Sequence, residues 1–209
     1  IVPLALNYLN PTRYGIWLTL TSIIGWVNFL DVGLGNGLRN KLAESIAAEN
    51  PLLARTYVST TYAVIGIIVL ALLALFLAVN PLLSWSKILN ADAAMEHELM
   101  LLATVVAAAF LARLLFGLVG TVLLALQRPA MSSSIEALVG LCSLGSILLL
   151  VRLSLNSLFW FGLCVGAVAA GVPLIANLWL FTGEYRYLAP SRRTVDFSYA
   201  RELMKLGIQ

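Results

Sequence analysis

The sequence predicts an all-α fold, a polytopic bundle of membrane-spanning helices, on three observations. Hydrophobic residues make up 61% and charged residues 11% of the 209, with a mean hydropathy of +0.94, whereas soluble domains run at roughly 45–50% apolar and 25% charged. The apolar residues gather into runs near the roughly 20 that a helix needs to cross the hydrocarbon core. Lys and Arg collect in alternate connections between those runs, the bias that orients membrane helices. A bundle of spans with short loops is one cooperative unit, so residues 1–209 are read as a single transmembrane domain.

Along the chain, residues 1–9 are apolar but too short to cross, and read as the remnant of a helix. Spans are expected at 14–38, 56–83, 99–126, 130–151 and 157–182. Residues 183–209 read as a linker leading into "FSYARELMKLGIQ" (197–209), the amphipathic start of a next helix. The chain opens on Ile1 rather than Met, and both ends read as cut.

One set of connections holds Arg39, Lys41, Arg55, Arg128, Arg186, Arg192, Arg193, Arg201 and Lys205; the alternate set holds Arg13, Lys87 and Arg152. The first set is expected to be cytoplasmic. The net charge of +3 is therefore mostly topology, and with no basic stripe interleaved with exposed aromatics a nucleic-acid partner is not expected.

Little here resembles catalytic machinery. Cys142 and Cys164 fall inside spans, where cysteine behaves as a small apolar residue. His97, in "MEHELM", belongs to the start of a solvated loop, and its acidic neighbours point in other directions on a helix. The Asn10-Pro11-Thr12 triplet is no glycosylation acceptor because proline stands in its middle. No Ser/His/Asp or Cys/His set is apparent, so an enzyme is not expected, and neither is a cofactor or a metal.

The informative charges are those inside spans. Arg113 lies mid-span in "AAAFLARLLFGLVG", where a charge costs roughly 2.5–3.5 kcal/mol even on the mildest insertion scale and must face protein or water. At 100° per residue it shares a face with Gly117, Gly120, Thr121 and Gln127. Glu136 repeats the pattern with Ser132, Ser133, Gly140 and Ser143, and Asp31 with Asn28, Gly35 and Arg39. The bland reading is that these faces hold the bundle together through hydrogen bonds and ion pairs, such as Asp31 or Glu136 with Arg113. The functional reading is a wet, mixed-charge cavity opening toward the cytoplasm.

Glycine spacing separates further readings. Gly33, Gly35 and Gly37 lack the G-x-G-x-x-G spacing and the preceding strand of a dinucleotide turn. Gly33-x-x-x-Gly37 and Gly162-x-x-x-Gly166 instead fit the small-residue spacing that lets membrane helices approach closely. Pro173 removes a backbone hydrogen bond inside the last span, so these positions are candidates for packing or gating.

The run "YGIWLTLTSIIGWVNFLDVGLGNGLRNKLAE", preceded by "PLALNYLNPTR" and followed by "ARTYVSTTYA", resembles the second and third helices of bacterial polysaccharide (O-antigen, Wzx-type) flippases. These belong to the MATE-like multidrug/oligosaccharidyl-lipid/polysaccharide exporter superfamily. Tyr14-Gly15-x-Trp17 and Asp31-x-Gly33-Leu34-Gly35 carry the likeness. The resemblance implies the N-terminal lobe of a two-lobe fold around a central cavity, in the bacterial inner membrane. It also implies export of an undecaprenyl-pyrophosphate-linked oligosaccharide from inner to outer leaflet by alternating access, for lipopolysaccharide or related surface polysaccharide biosynthesis. Membrane lipids and polysaccharide polymerase or assembly proteins are the other partners it implies.

A pyrophosphate is anionic, and Arg113 suits it by a charge-assisted, bidentate contact. Arg39 stands near the mouth, while Asp31, Asn28, Glu136, Ser133 and Thr121 complete the expected cavity. Two alternatives stay open. One is an ion-coupled drug or cation antiporter of the same superfamily, with Asp31 or Glu136 carrying a proton or sodium ion. The other is a non-transporting membrane scaffold of a polysaccharide synthase complex.

Overall fold

The computed structural model describes residues 2–26, 33–153, 157–200 and 203. Among them there is no strand, and eight α-helices follow one another as α1 (Val2–Gly25), α2 (Leu34–Ala47), α3 (Pro51–Val79), α4 (Trp85–Ile88), α5 (Glu96–Phe116), α6 (Leu118–Ala125), α7 (Pro129–Leu153) and α8 (Leu158–Thr182). Four stretches, Pro51–Leu82, Ala93–Ala125, Pro129–Leu153 and Leu158–Thr182, are long and apolar enough to cross a membrane. Their outward faces carry Leu70, Leu75, Leu141, Leu149, Ile175 and Trp179, each more than half exposed. So much apolar surface belongs against lipid, and the chain is a helical membrane protein.

These four match the later four expected spans. The first, 14–38, is divided instead. Residues 14–25 form the second part of α1, Gly33 turns the chain at φ 119°, and α2 starts afresh at Leu34 and runs through most of the expected loop. Hydropathy alone missed α2 because it is two-faced: Leu34, Leu38, Leu42 and Ser45 are buried while Arg39, Asn40 and Glu44 stay exposed.

Local chemistry sets the other boundaries. Asn10 breaks α1 with φ 65° and ψ 164°, and its side-chain oxygen accepts the Arg13 N–H at 3.0 Å. Asn10 thereby caps a second helical segment that begins with Pro11, whose missing N–H is harmless there. Asn50 caps α3 through the Leu53 N–H at 3.0 Å, again with proline next. Glu96 accepts the Trp85 and Ser86 N–H groups at 2.7 and 2.8 Å, holding α4 against the start of α5. Glu98 accepts from the Ser157 hydroxyl at 3.2 Å and the Phe159 N–H at 3.3 Å, placing a carboxylate at the N-terminus of α8, where the helix dipole favours it. The acidic pair flanking His97 is thus used in capping.

Two apolar cores form. One joins α2, α3, α6 and the arginine-rich ends of α5 and α8, around Leu38, Leu42, Val58, Leu118 and Leu180. The other joins α1, α4, α7 and the opposite ends of α5 and α8, around Leu9, Leu20, Leu99, Leu102 and Leu158. After α8 the chain lies along α3: the Arg55 Nε donates to the Ala189 carbonyl at 2.9 Å, Ser59 meets Thr194 at 2.8 Å, and the Asp196 N–H donates to Thr60 at 3.0 Å. The Ser198 hydroxyl and N–H hold the Asp196 carboxyl below the ordinary carboxylate range. Its contribution is therefore present above that range and lost as pH falls through the lowered value. Of the expected helix over 197–209, residues 201–202 and 204–209 lie outside the described residues.

One joint within the bundle is polar. At Gly117 the 33-residue span tightens, with the Gly120 N–H donating to the Gly117 carbonyl at 2.9 Å, a three-residue step in place of four. The Phe116 carbonyl is met from another helix by the Asn177 amide at 2.6 Å, which also donates to the Pro173 carbonyl at 2.8 Å. The Tyr62 hydroxyl donates to the same Asn177 side chain at 2.5 Å. Asn177→Leu is expected to lower stability by about 1–3 kcal/mol, since it orphans the half-buried Phe116 carbonyl and Tyr62 hydroxyl. Tyr62→Phe, which removes one of these bonds, should cost clearly less; thermal unfolding in detergent checks the order.

Candidate functional site

Arg113 stands one turn before the Gly117 break, and its Nη2 donates to the Glu136 Oε2 of α7 at 2.8 Å. Of the two carboxylates expected as partners, the described residues pair it with Glu136. Asn28 and Asp31 lie outside the described residues. The pair is open: the side chains are 37% and 60% exposed. Charges cannot face hydrocarbon at that depth without a large penalty, so this face of α5 and α7 belongs to water or to other protein.

Beside the pair lies a cleft of about 530 Å³ between α1, α5, α7 and α8. Arg113 is its cationic wall; Trp17 and Phe110 supply aromatic surface, and Thr21 and Ser143 supply hydroxyls. The Trp17 ring is held edge-on against Phe161, with centroids 5.1 Å apart and planes at 87°. The Thr21 hydroxyl donates to the Trp17 carbonyl at 2.8 Å, so its oxygen can still accept from a ligand. The volume falls within the roughly 300–1,000 Å³ of small-molecule sites.

Glycines make the cleft's back wall possible. A Cβ at Gly166 would stand 2.8 Å from the Ala109 Cβ, and one at Gly162 would collide with the Leu102 side chain. The spacing Gly162-x-x-x-Gly166 thus brings α8 onto α5. Gly120 fulfils the same need between α6 and α7, where an added Cβ would lie 3.1 Å from the Ser132 hydroxyl. Gly37 lies against the Leu203 backbone, while Gly33 serves the turn into α2. Pro173 is buried in α8 with its carbonyl engaged by Asn177.

The remaining expected residues do not join Arg113. Thr121 lines a separate pocket of about 100 Å³ with Gly35, Asn36, Arg39 and Leu124. At about 100° per residue Thr121, eight positions on, already stands roughly 80° from Arg113, and the tightened step at Gly117 turns it slightly farther. Ser133 is exposed on α7, one turn nearer the arginine-rich end than Glu136.

The direction of the cleft also differs from the expectation. From Arg113 it runs along Phe110 and Val106 to Gly162, toward the N-termini of α5 and α8. The larger space therefore lies on the side of Arg113 away from the arginine-rich end, opposite to a cytoplasmic opening. Thr21 and Phe110 carry no sequence signal for this position, because a hydroxyl or an aromatic on an apolar helix is indistinguishable in sequence from a core or lipid-facing residue. Trp17 had its signal in the Tyr14-Gly15-x-Trp17 motif, though not as a cleft residue.

The arrangement can hold an anion: a permanently charged guanidinium, partly shielded from bulk water, in a wall otherwise apolar and hydroxylated. Among the described residues no His/Cys/Asp/Glu group suits a metal ion. Neither a protein-family model, nor a curated protein, nor a solved structure matches the chain.

Proposed function

We propose that this chain belongs to a bacterial inner-membrane exporter of lipid-linked oligosaccharide, and that the Arg113 cleft receives the anionic undecaprenyl-pyrophosphate headgroup during alternating access. The observation that supports this most is the position of Arg113: an always-charged group within a spanning helix, in the wall of a cleft of about 530 Å³. Trp17 and Phe110 offer faces on which sugar rings can pack, and Thr21 and Ser143 offer hydroxyl partners. Space on the side of Arg113 away from the arginine-rich end suits release of cargo to the outer leaflet.

The same pair disfavours cation antiport. Glu136 is within 2.8 Å of a guanidinium, so a cationic cargo entering the cleft meets a cation first. The test is reconstitution of the full-length protein in vesicles, with headgroup exposure of an undecaprenyl-pyrophosphate oligosaccharide read by an impermeant glycosidase and ethidium efflux measured in parallel. Accelerated exposure of the oligosaccharide without ethidium efflux is expected. Ethidium efflux driven by a proton or sodium gradient, with the oligosaccharide static, overturns the reading.

A further inference from the structure

We infer that Glu136 is a tethered stand-in for the anionic cargo, holding Arg113 at the cleft wall and yielding it when a pyrophosphate arrives. This rests on the reading of the cleft as an anion site, and adds a specificity residue to it. The contact is single-pronged: among the described residues the guanidinium meets the carboxylate through Nη2 and one oxygen, Oε2. The fork of Arg is built for two parallel bonds to an oxyanion, so a pyrophosphate offers it a fuller set of partners than Glu136 does.

Exposure points the same way. Glu136 is more open than Arg113, at 60% against 37%, so the carboxylate can turn into surrounding water while the guanidinium stays in the cleft wall. Removing a partner from a buried pair strands a charge, whereas an exposed pair exchanges easily. The two side chains come from different helices, and α5 and α7 each pack mainly on α8. Exchange of Glu136 for cargo therefore also releases a direct tie between α5 and α7. A permanent brace between these helices would be better served by a bidentate, buried contact, which this is not.

The experiment is titration of inorganic pyrophosphate into the purified full-length protein, at low ionic strength, by calorimetry. Wild type, Glu136→Gln, Glu136→Ala and Arg113→Gln are compared, each first shown to elute as a folded species. Both Glu136 variants are expected to bind roughly two- to fivefold tighter than wild type, the effect of deleting a weak intramolecular competitor, and Arg113→Gln is expected to lose binding. If Arg113→Gln binds like wild type, or no protein binds, the anion-site reading falls and the stand-in with it. If Arg113→Gln loses binding but both Glu136 variants bind no tighter than wild type, the anion site stands and the stand-in is overturned.

Discussion

Arg113→Gln is expected, on the proposed function, to lower the rate of oligosaccharide export by roughly 10- to 100-fold while leaving heat stability close to wild type. The magnitude follows from a charged hydrogen bond to the headgroup, worth about 1.5–3 kcal/mol, with each 1.4 kcal/mol corresponding to about tenfold in affinity. The small effect on stability follows from the openness of the existing pair. With side chains 37% and 60% exposed, solvent screens most of the attraction, and such pairs contribute about 1 kcal/mol or less. Arg113→Lys keeps the charge but loses the fork, so it should retain an intermediate rate. Export measured in vesicles, beside thermal unfolding of each variant, checks both halves; full export by Arg113→Gln would sink the proposed role.

Gly166→Ala is expected to be the most damaging of the small substitutions at the α5–α8 crossing, at about 1–3 kcal/mol, the usual range for overpacking. Its added methyl meets the Ala109 Cβ at 2.8 Å, an atom fixed to its own backbone, so the helices themselves must part. Gly162→Ala meets chiefly the end of the Leu102 side chain, which can change rotamer, and should cost less. Gly140→Ala and Gly145→Ala meet nothing within 4 Å, and helix propensity alone makes them neutral or stabilising by up to about 1 kcal/mol. The ordering of four unfolding midpoints is the check; equal effects at Gly166 and Gly145 would contradict the close approach.

The spans realised as α3, α5–α6, α7 and α8 were legible because length and hydropathy are nearly sufficient inside hydrocarbon. The helix starts at Pro11 and Pro51 fall earlier than the expected 14 and 56, because Asn followed by Pro caps and then begins a helix without adding apolar character that hydropathy registers. Helix α2 was not legible, because its buried stripe is averaged away by Arg39, Lys41 and Glu44 in any window. Within the site, Glu136 was already one of two expected partners for Arg113. Thr121 falls into the Arg39 pocket because it stands at the edge of the Arg113 face, roughly 80° away at about 100° per residue, even before the tightened step at Gly117 is counted. The strap after α8 left no readable trace, since Ser59 and Thr60 look like ordinary small polar residues in a span until Thr194 and Asp196 are brought to them.

The Asn177 amide has a mechanical meaning beyond the bonds it makes. Because the carbonyl freed at Phe116 is answered from α8, the two segments on either side of Gly117 cannot change their angle without dragging α8 along. Tyr62 ties α3 into the same node. Three helices thus share one pivot, so any tilt at this level would reach the core around Leu38, Val58 and Leu180 as a linked movement of all three rather than as the bending of a single rod.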